Sequence, residues 1–279
     1  MKIGIRYQAQ YAYEEAVSFS PHIFRLFPKT GTHLTVHRAD FQTNADATVN
    51  FRRDLFDNEI ASCFYPGRTA LLAASLQLDL EVREWSAFGF LLDSHALDLP
   101  FAYRPAELPA LAPYLRSGAG PELPFWKAPA QPQPTVGTLV ALNAAIREHL
   151  AYERRDEGEA RTSAETLALG VGACRDFAVL LVDVLRGLGL AARLASGYLC
   201  EFGHGEKRAE GSLHAWAEAY LPGAGWVGMD PTNGTFCDHR HLTAAVGLTP
   251  ADSAPVAGNY YHKTHVPSQM TASLQIIPA

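Results

Sequence analysis

The stretch GVGACRDFAVLLVDVLRGLGL, Gly170–Leu190, decides how the chain is read. Phe177, Ala178, Leu181, Leu185 and Leu188 share one helical face, which predicts a helix running to Gly187 or Gly189. Gly170 and Gly172 disfavour helix ahead of it, so Cys174 falls in the first turn. Two readings of that thiol stand side by side. It is a small core side chain, since free cysteine is among the most buried residue types. Or it is a nucleophile, because unpaired N–H groups and the positive end of the helix dipole lower a thiol pKa. An ordinary thiol, with a pKa near 8.5, is only about 3% ionised at pH 7, so the placement matters for attack.

Composition narrows the setting. The 279 residues suffice for one large or two ordinary domains. Apolar residues make up 48% and charged residues 19%, a globular rather than a disordered balance. The net charge of −6 favours neither nucleic acid nor an anionic membrane surface as partner. No apolar run reaches bilayer length. The opening MKIGIRYQAQYAYEE lacks the apolar core of a signal peptide, and Cys63, Cys174, Cys200 and Cys237 form no C-x-x-C pair. Reduced thiols and a cytoplasmic location are therefore expected.

Working outward, Ile3, Ile5, Tyr7, Ala9, Tyr11 and Tyr13 alternate, as do Leu76, Leu78, Leu80 and Val82 in Ser75–Glu84. Both predict half-buried strands. HLTVHRADF and ATVNFRRDLFDN resemble further strands, and no strong amphipathic helix precedes residue 85. Residues 1–100 thus read as an antiparallel β module with one wet face. Residues 101–134 and the Pro100 before them hold nine of the 18 prolines, a density that excludes long helices and marks a connector. Tyr114, Phe125 and Trp126 suggest that it packs on a domain. Residues 135–279 form the second unit, with Leu139, Leu142, Ile146 and Leu150 at helical spacing and a capping box at Thr162 and Glu165.

Downstream, LHAWAEAYL puts His214, Trp216, Glu218 and Tyr220 on one side of a strand and Ala215, Ala217 and Ala219 on the other. A Pro-Gly-Ala-Gly turn follows, then WVGMDPTNG with Asp230. A strand histidine alone is more often a surface or satisfied core residue. In the order Cys, His, Asp, the chain nonetheless supplies a nucleophile, a base and an orienter. His214 and Asp230 must share a face to bond. Leu221 is therefore expected to face Gly225 across a three-residue turn, since pairing with Trp226 sends Asp230 to the other side unless a β-bulge at Gly223, Gly225 or Gly228 intervenes.

G-x-C-x-D-F-A at 172–178, H-A-W at 214–216 and D-P-T-N at 230–233 resemble the three motifs of the transglutaminase-like superfamily of cysteine enzymes, with bacterial spacings of 40 and 16 residues. YAYEEAVSFSPHIFRLFP and HLTAAVGLTPADSAPVAGNYY are similar to the N-terminal β domain and C-terminal strands of its bacterial two-domain branch. The resemblance implies an α+β fold: the β domain, then a papain-like or transglutaminase-like core whose nucleophile helix packs on an antiparallel sheet. It implies catalytic roles for Cys174, His214 and Asp230, an oxyanion bound by the Cys174 N–H, and no cofactor. That oxyanion contact is worth about 3–4 kcal/mol in such sites. The implied activity is cysteine-dependent acyl transfer on a peptide or protein substrate. Hydrolysis is favoured, with transamidation or an idle peptide-binding scaffold as alternatives.

Other residues carry competing readings. Trp216, Arg175 and Asp176 are candidates for touching substrate, although Trp216 also suits a core. Arg175 and Asp176 also suit a local ion pair, or Asp176 a favourable charge at a helix start. Cys237, His239 and His241, with Cys200 and His204 further off, offer metal-ligand side chains, but residues two apart on one strand splay too widely for a tetrahedral ion. ERRDEGEAR, 153–161, reads as a solvated loop that could border the cleft.

Overall fold

The computed structural model describes residues 1–115, 120–155, 158–201 and 210–278, with positions 201, 210, 211 and 278 by backbone alone. The early alternation becomes β1 (Lys2–Phe19), followed by β2 (His22–Phe24), β3 (Leu34–Thr43), β4 (Thr48–Arg53), β5 (Glu59–Phe64) and β6 (Thr69–Val82). Ile3, Ile5 and Tyr7 of β1 stand opposite Leu80, Leu78 and Leu76 of β6, and all six are buried. Because side chains alternate across a sheet, this register gathers both apolar sets on one face. β3 pairs with the far side of β6, and β2, β5 and β4 form a second sheet.

The proline-rich connector is packed, as Tyr114 and Trp126 suggested. β7 (Asp98–Leu99) pairs with β8 (Gln133–Pro134) at its two ends, and α1 (Leu108–Leu111) is a single turn between them. Tyr103 straps the segment down. Its hydroxyl donates to the Tyr220 carbonyl at 2.8 Å and accepts the Ala191 N–H at 2.9 Å.

The second unit continues through α2 (Thr135–His149), β9 (Ala151–Tyr152), α3 (Ser163–Leu169), β10 (Val171–Gly172), α4 (Cys174–Gly187), β11 (Ala192–Glu201), β12 (Glu210–Leu221), β13 (Gly225–Asp230), β14 (Thr235–Phe236) and β15 (His241–Gly247). α3 starts at the expected capping box: Glu165 N–H donates to Thr162 Oγ1, and Glu165 Oε2 accepts the Thr162 N–H. The sheet is antiparallel in the order β14-β13-β12-β11-β15. Phe177, Leu181 and Leu185 of α4 pack on Ala217, Ala219, Val227 and Met229. The small alanines let the helix approach closely, and each large side chain buried there stabilises by about 1.5–3 kcal/mol. This is the helix-on-antiparallel-sheet core that the motifs led us to expect.

The chain then turns back. After α5 (Pro250–Ser253), β16 (Val256–Ala257) pairs with β2, and β17 (Tyr260–Tyr261) and β18 (Ser268–Pro278) pair with β1. Taking residues 135–279 as one unit therefore needs correction, because 256–278 complete the sheets of the first module. Leu274 and Ile276 supply the alternation that suits β18 to β1, with Ile276 opposite Ile5.

The free face of the second sheet lies on the β module. Tyr198, Cys200, Leu242 and Ala244 share one apolar cluster with Ile3, Ile5, Tyr7, Leu76 and Leu78. A turn between β4 and β5 reaches across as well. Buried Asn58 donates from Nδ2 to the Val246 carbonyl at 2.8 Å and accepts the Val246 N–H on Oδ1 at 2.9 Å. Its neighbour Phe56 packs against Ala195, Trp216 and Val246.

Candidate active site

Cys174 opens α4, whose first turn is built from its own loop. Asp176 is wholly buried and accepts from the Ala173 N–H at 2.8 Å, the Arg161 N–H at 2.7 Å and Arg155 Nη2 at 2.8 Å. Gly172 is needed because a Cβ there would lie 3.0 Å from both Asp176 Cβ and the Phe177 ring. The backbone before Cys174 is thus pinned from both sides, and its half-buried thiol meets the His214 side chain and the Ala215 backbone.

The hairpin has the register that shared faces demand. Leu221 pairs with Gly225 and Ala217 with Met229, which brings Asp230 beside His214. His214 Nε2 lies 2.9 Å from Asp230 Oδ2, and the other side of the ring meets the Cys174 thiol. Three segments far apart in sequence therefore converge on one imidazole.

Electrostatics couple them. Burial pushes the Cys174 thiol up, but the hydrogen bond and charge of His214, the Ala215 N–H and Arg175 outweigh it and hold the thiol below its ordinary value. Burial alone would lower His214. Bonds to Asp230 and Cys174 instead raise it to about 10. Asp230 sits far below the usual carboxylate range, since donors from His214 and His241 override its burial. Both shifts run in the direction that favours a thiolate paired with an imidazolium.

Further donors fix the carboxylate. Thr232 N–H reaches Asp230 Oδ1 at 2.9 Å and Asn233 Nδ2 reaches Oδ2 at 2.7 Å. His241 Nε2 approaches the same Oδ2 at 3.2 Å. From α2, buried Asn143 donates to the Asp230 carbonyl at 3.3 Å and the Thr235 carbonyl at 3.1 Å.

The residues expected to touch substrate fare differently. Trp216 is 1% exposed and lies under the site, near-parallel to His214 and edge-on to His241. Asp176 is consumed by the three donors above and pairs with Arg155, not with Arg175. Both support the site from within, because neither offers surface to a ligand. Arg175 is half-buried and donates from Nη1 to the Arg155 carbonyl at 2.7 Å. In the 153–161 tract Glu153, Arg154 and Glu159 are exposed, whereas Arg155 and Arg161 turn inward and hold the nucleophile turn. The cysteine–histidine tract also resolves differently. Cys237 packs at Gly228, His239 lies edge-on to Trp85, and His241 turns to Asp230, because only His241 belongs to a strand. His204 lies outside the described residues. Among the described residues, no three His, Cys, Asp or Glu side chains are grouped to hold a metal. The sequence reading missed Asn143 and the role of His241. An imidazole 11 residues beyond Asp230, in the same tract, was the available signal for the latter.

Two regions of the chain match known protein families. Residues 127–231 match the transglutaminase-like superfamily core, and residues 3–81 match the bacterial transglutaminase-like N-terminal region. The chain thus carries a transglutaminase-like core with the bacterial transglutaminase-like N-terminal region ahead of it. An uncharacterized protein of Mycobacterium tuberculosis is 28% identical over 294 residues, covering 98% of this chain and 92% of that one. Another, from Mycobacterium leprae, is 34% identical over 128 residues, 44% of either chain. The solved structure of a candidate cysteine protease from Cytophaga hutchinsonii shares the fold, with a TM-score of 0.67 at 17% identity, over 100% of this chain and 91% of that one.

Proposed function

We propose that the protein is a cysteine-dependent acyl-transfer enzyme that hydrolyses peptide or isopeptide amide bonds in a peptide or protein substrate. The observation that carries this reading is the convergence of Cys174, at a helix start, on a buried His214 that is 2.9 Å from Asp230. The Cys174 thiolate attacks the amide carbonyl and forms a C–S bond. Negative charge moves to the carbonyl oxygen, beside the Cys174 N–H, which has no intrahelical acceptor in the first turn. As the C–N bond breaks, imidazolium His214 gives its proton to the leaving amine. A thioester and a neutral imidazole remain. His214 then takes a proton from water, the hydroxide adds to the thioester, and the carboxylic acid departs as thiolate and imidazolium are restored. Asp230 keeps one ring nitrogen engaged throughout, so the other stays aimed at sulfur.

The same thioester handed to an amine gives transamidation. Mass spectrometry of a peptide and isopeptide library, incubated with and without a primary amine, separates the two outcomes. Cleavage by the wild type and not by Cys174→Ala is expected. Amine-tagged products would move the assignment to cross-linking, and an unchanged library with an unreactive Cys174 would leave a binding scaffold.

A further inference from the structure

The mechanism above uses one histidine, yet two imidazoles meet at Asp230. His241, the first residue of β15, is 5% exposed. Its Nε2 lies 3.2 Å from Asp230 Oδ2, the oxygen that also receives His214. On the far side, the Asp238 N–H points at His241 Nδ1 from 3.4 Å, and Asp238 Oδ1 lies 3.7 Å from that nitrogen. With Nδ1 accepting, the proton sits on Nε2 and is donated to Asp230. Trp216 fixes the ring edge-on, with centroids 5.5 Å apart. The strand is drawn close by a register shift between Ser196 and Gly197, where a Cβ on Gly197 would collide with the Leu242 carbonyl.

Asp230 Oδ2 thus has three donors from three segments: His214 on β12, Asn233 in the loop after β13, and His241 on β15. One carboxylate oxygen has two lone pairs, so three donors compete for them. We propose that His241 is a positioning residue for the proposed reaction, dividing the Asp230 carboxylate so that His214 receives only part of its charge. An Asp230 oxygen with one donor fewer binds the imidazolium more tightly, and the proton due to the leaving amine is then given up less readily.

The groups facing this pair come from every side. Cys174 and Arg175 approach from α4, Asp230 from β13, and Asp238 and Cys237 from the loop before β15. His241 and His214 also repel each other when both are charged. Removing His241 therefore leaves the shared oxygen to His214 and Asn233, one donor fewer than before. Asp230 keeps its place meanwhile, held on Oδ1 by the Thr232 and Asn233 N–H groups.

The inference rests on the Cys174–His214 pair of the proposed function, and one experiment separates the two. The rate of Cys174 alkylation by iodoacetamide is followed against pH in the whole protein. Wild type should rise in two steps, the first as the thiolate–imidazolium pair forms and the second as His214 loses its proton. In His241→Leu the second step should move up by about half a pH unit or more, roughly threefold in proton affinity. His241→Gln, which keeps an N–H near the Nε2 position, should restore the wild-type step. An unmoved or lowered second step in folded His241→Leu overturns the inference and leaves the pair intact. A single ordinary thiol step in wild type overturns the pair and the inference with it. Should His241→Leu not fold, nitrogen-15 NMR of the wild type decides. The His241 Nε2 signal must shift as His214 titrates, and an invariant signal overturns the proposal.

Discussion

Replacing Asp176 by alanine tests whether the nucleophile turn is held by the buried carboxylate or by helix propensity alone. Three donors lose their acceptor: the Ala173 N–H at 2.8 Å, the Arg161 N–H at 2.7 Å and Arg155 Nη2 at 2.8 Å. Each orphaned buried donor costs about 1–3 kcal/mol, and a fully buried broken ion pair about 3–5 kcal/mol. The Arg155 side chain is 24% exposed, so water takes up part of its loss. About 3–5 kcal/mol for the whole change follows. At about 2–4 °C per kcal/mol for a chain of this size, the melting temperature should fall by on the order of 10 °C. Asp176→Asn keeps one acceptor oxygen but turns an amide towards Arg155, and should lose roughly half as much. Calorimetry at pH 7 reads the stability, and Cys174 alkylation on the folded variant reads the turn. Alanine should slow that alkylation, because the Ala173–Cys174 backbone is no longer held against Gly172. A melting temperature within about 2 °C of wild type, with unchanged alkylation, refutes the scaffold role.

Three further outcomes are expected. Brief iodoacetamide treatment near pH 7 should add a single label, at Cys174, because burial pushes Cys63 up to about 11 and Cys200 to about 12 and raises Cys237 well above its ordinary value. Peptide mapping of the labelled protein reads the site. Asp230 is held below its ordinary 3.8 by His214 and His241 against its burial, so its stabilisation is present above that value and is lost as pH falls below it. Melting curves from pH 5 to pH 2.5 should therefore fall more steeply for wild type than for Asp230→Asn. Asn58→Ala leaves both backbone groups of Val246 unpaired in a buried interface, and urea titration should read a loss of about 2–4 kcal/mol.

Much of the site was legible because it depends on periodicity. Alternation along 213–221, combined with the need for His214 and Asp230 to share a face, left the three-residue turn as the workable pairing, and Leu221 does meet Gly225. The capping box at Thr162 marked the start of α3 for a similarly local reason. What escaped is long-range. Asp176 looked like a candidate for substrate because a carboxylate beside a nucleophile carries no mark of burial. Its partners Arg155 and Arg161 lie in a loop whose charge reads as solvated. His241 was weighed as one of three ligands on a strand, but the strand begins only at His241, so Cys237 and His239 diverge from it. The return of β18 to β1 was equally hidden, since a half-buried strand does not name its neighbour.

The placement of β1 has a consequence for how the chain is made. Its neighbour β6 lies close in sequence, whereas β18 occupies residues 268–278 and pairs with β1 over Ile3–Tyr13. At about 5–20 residues per second, roughly 10–40 s of synthesis separate the two partners. Through that interval β1 presents an open edge with alternating apolar side chains, the kind of template on which another chain can pair. A fragment ending before Val256 would keep Cys174, His214 and Asp230 yet leave that edge uncovered. Its defect would surface as association between nascent chains rather than as missing chemistry.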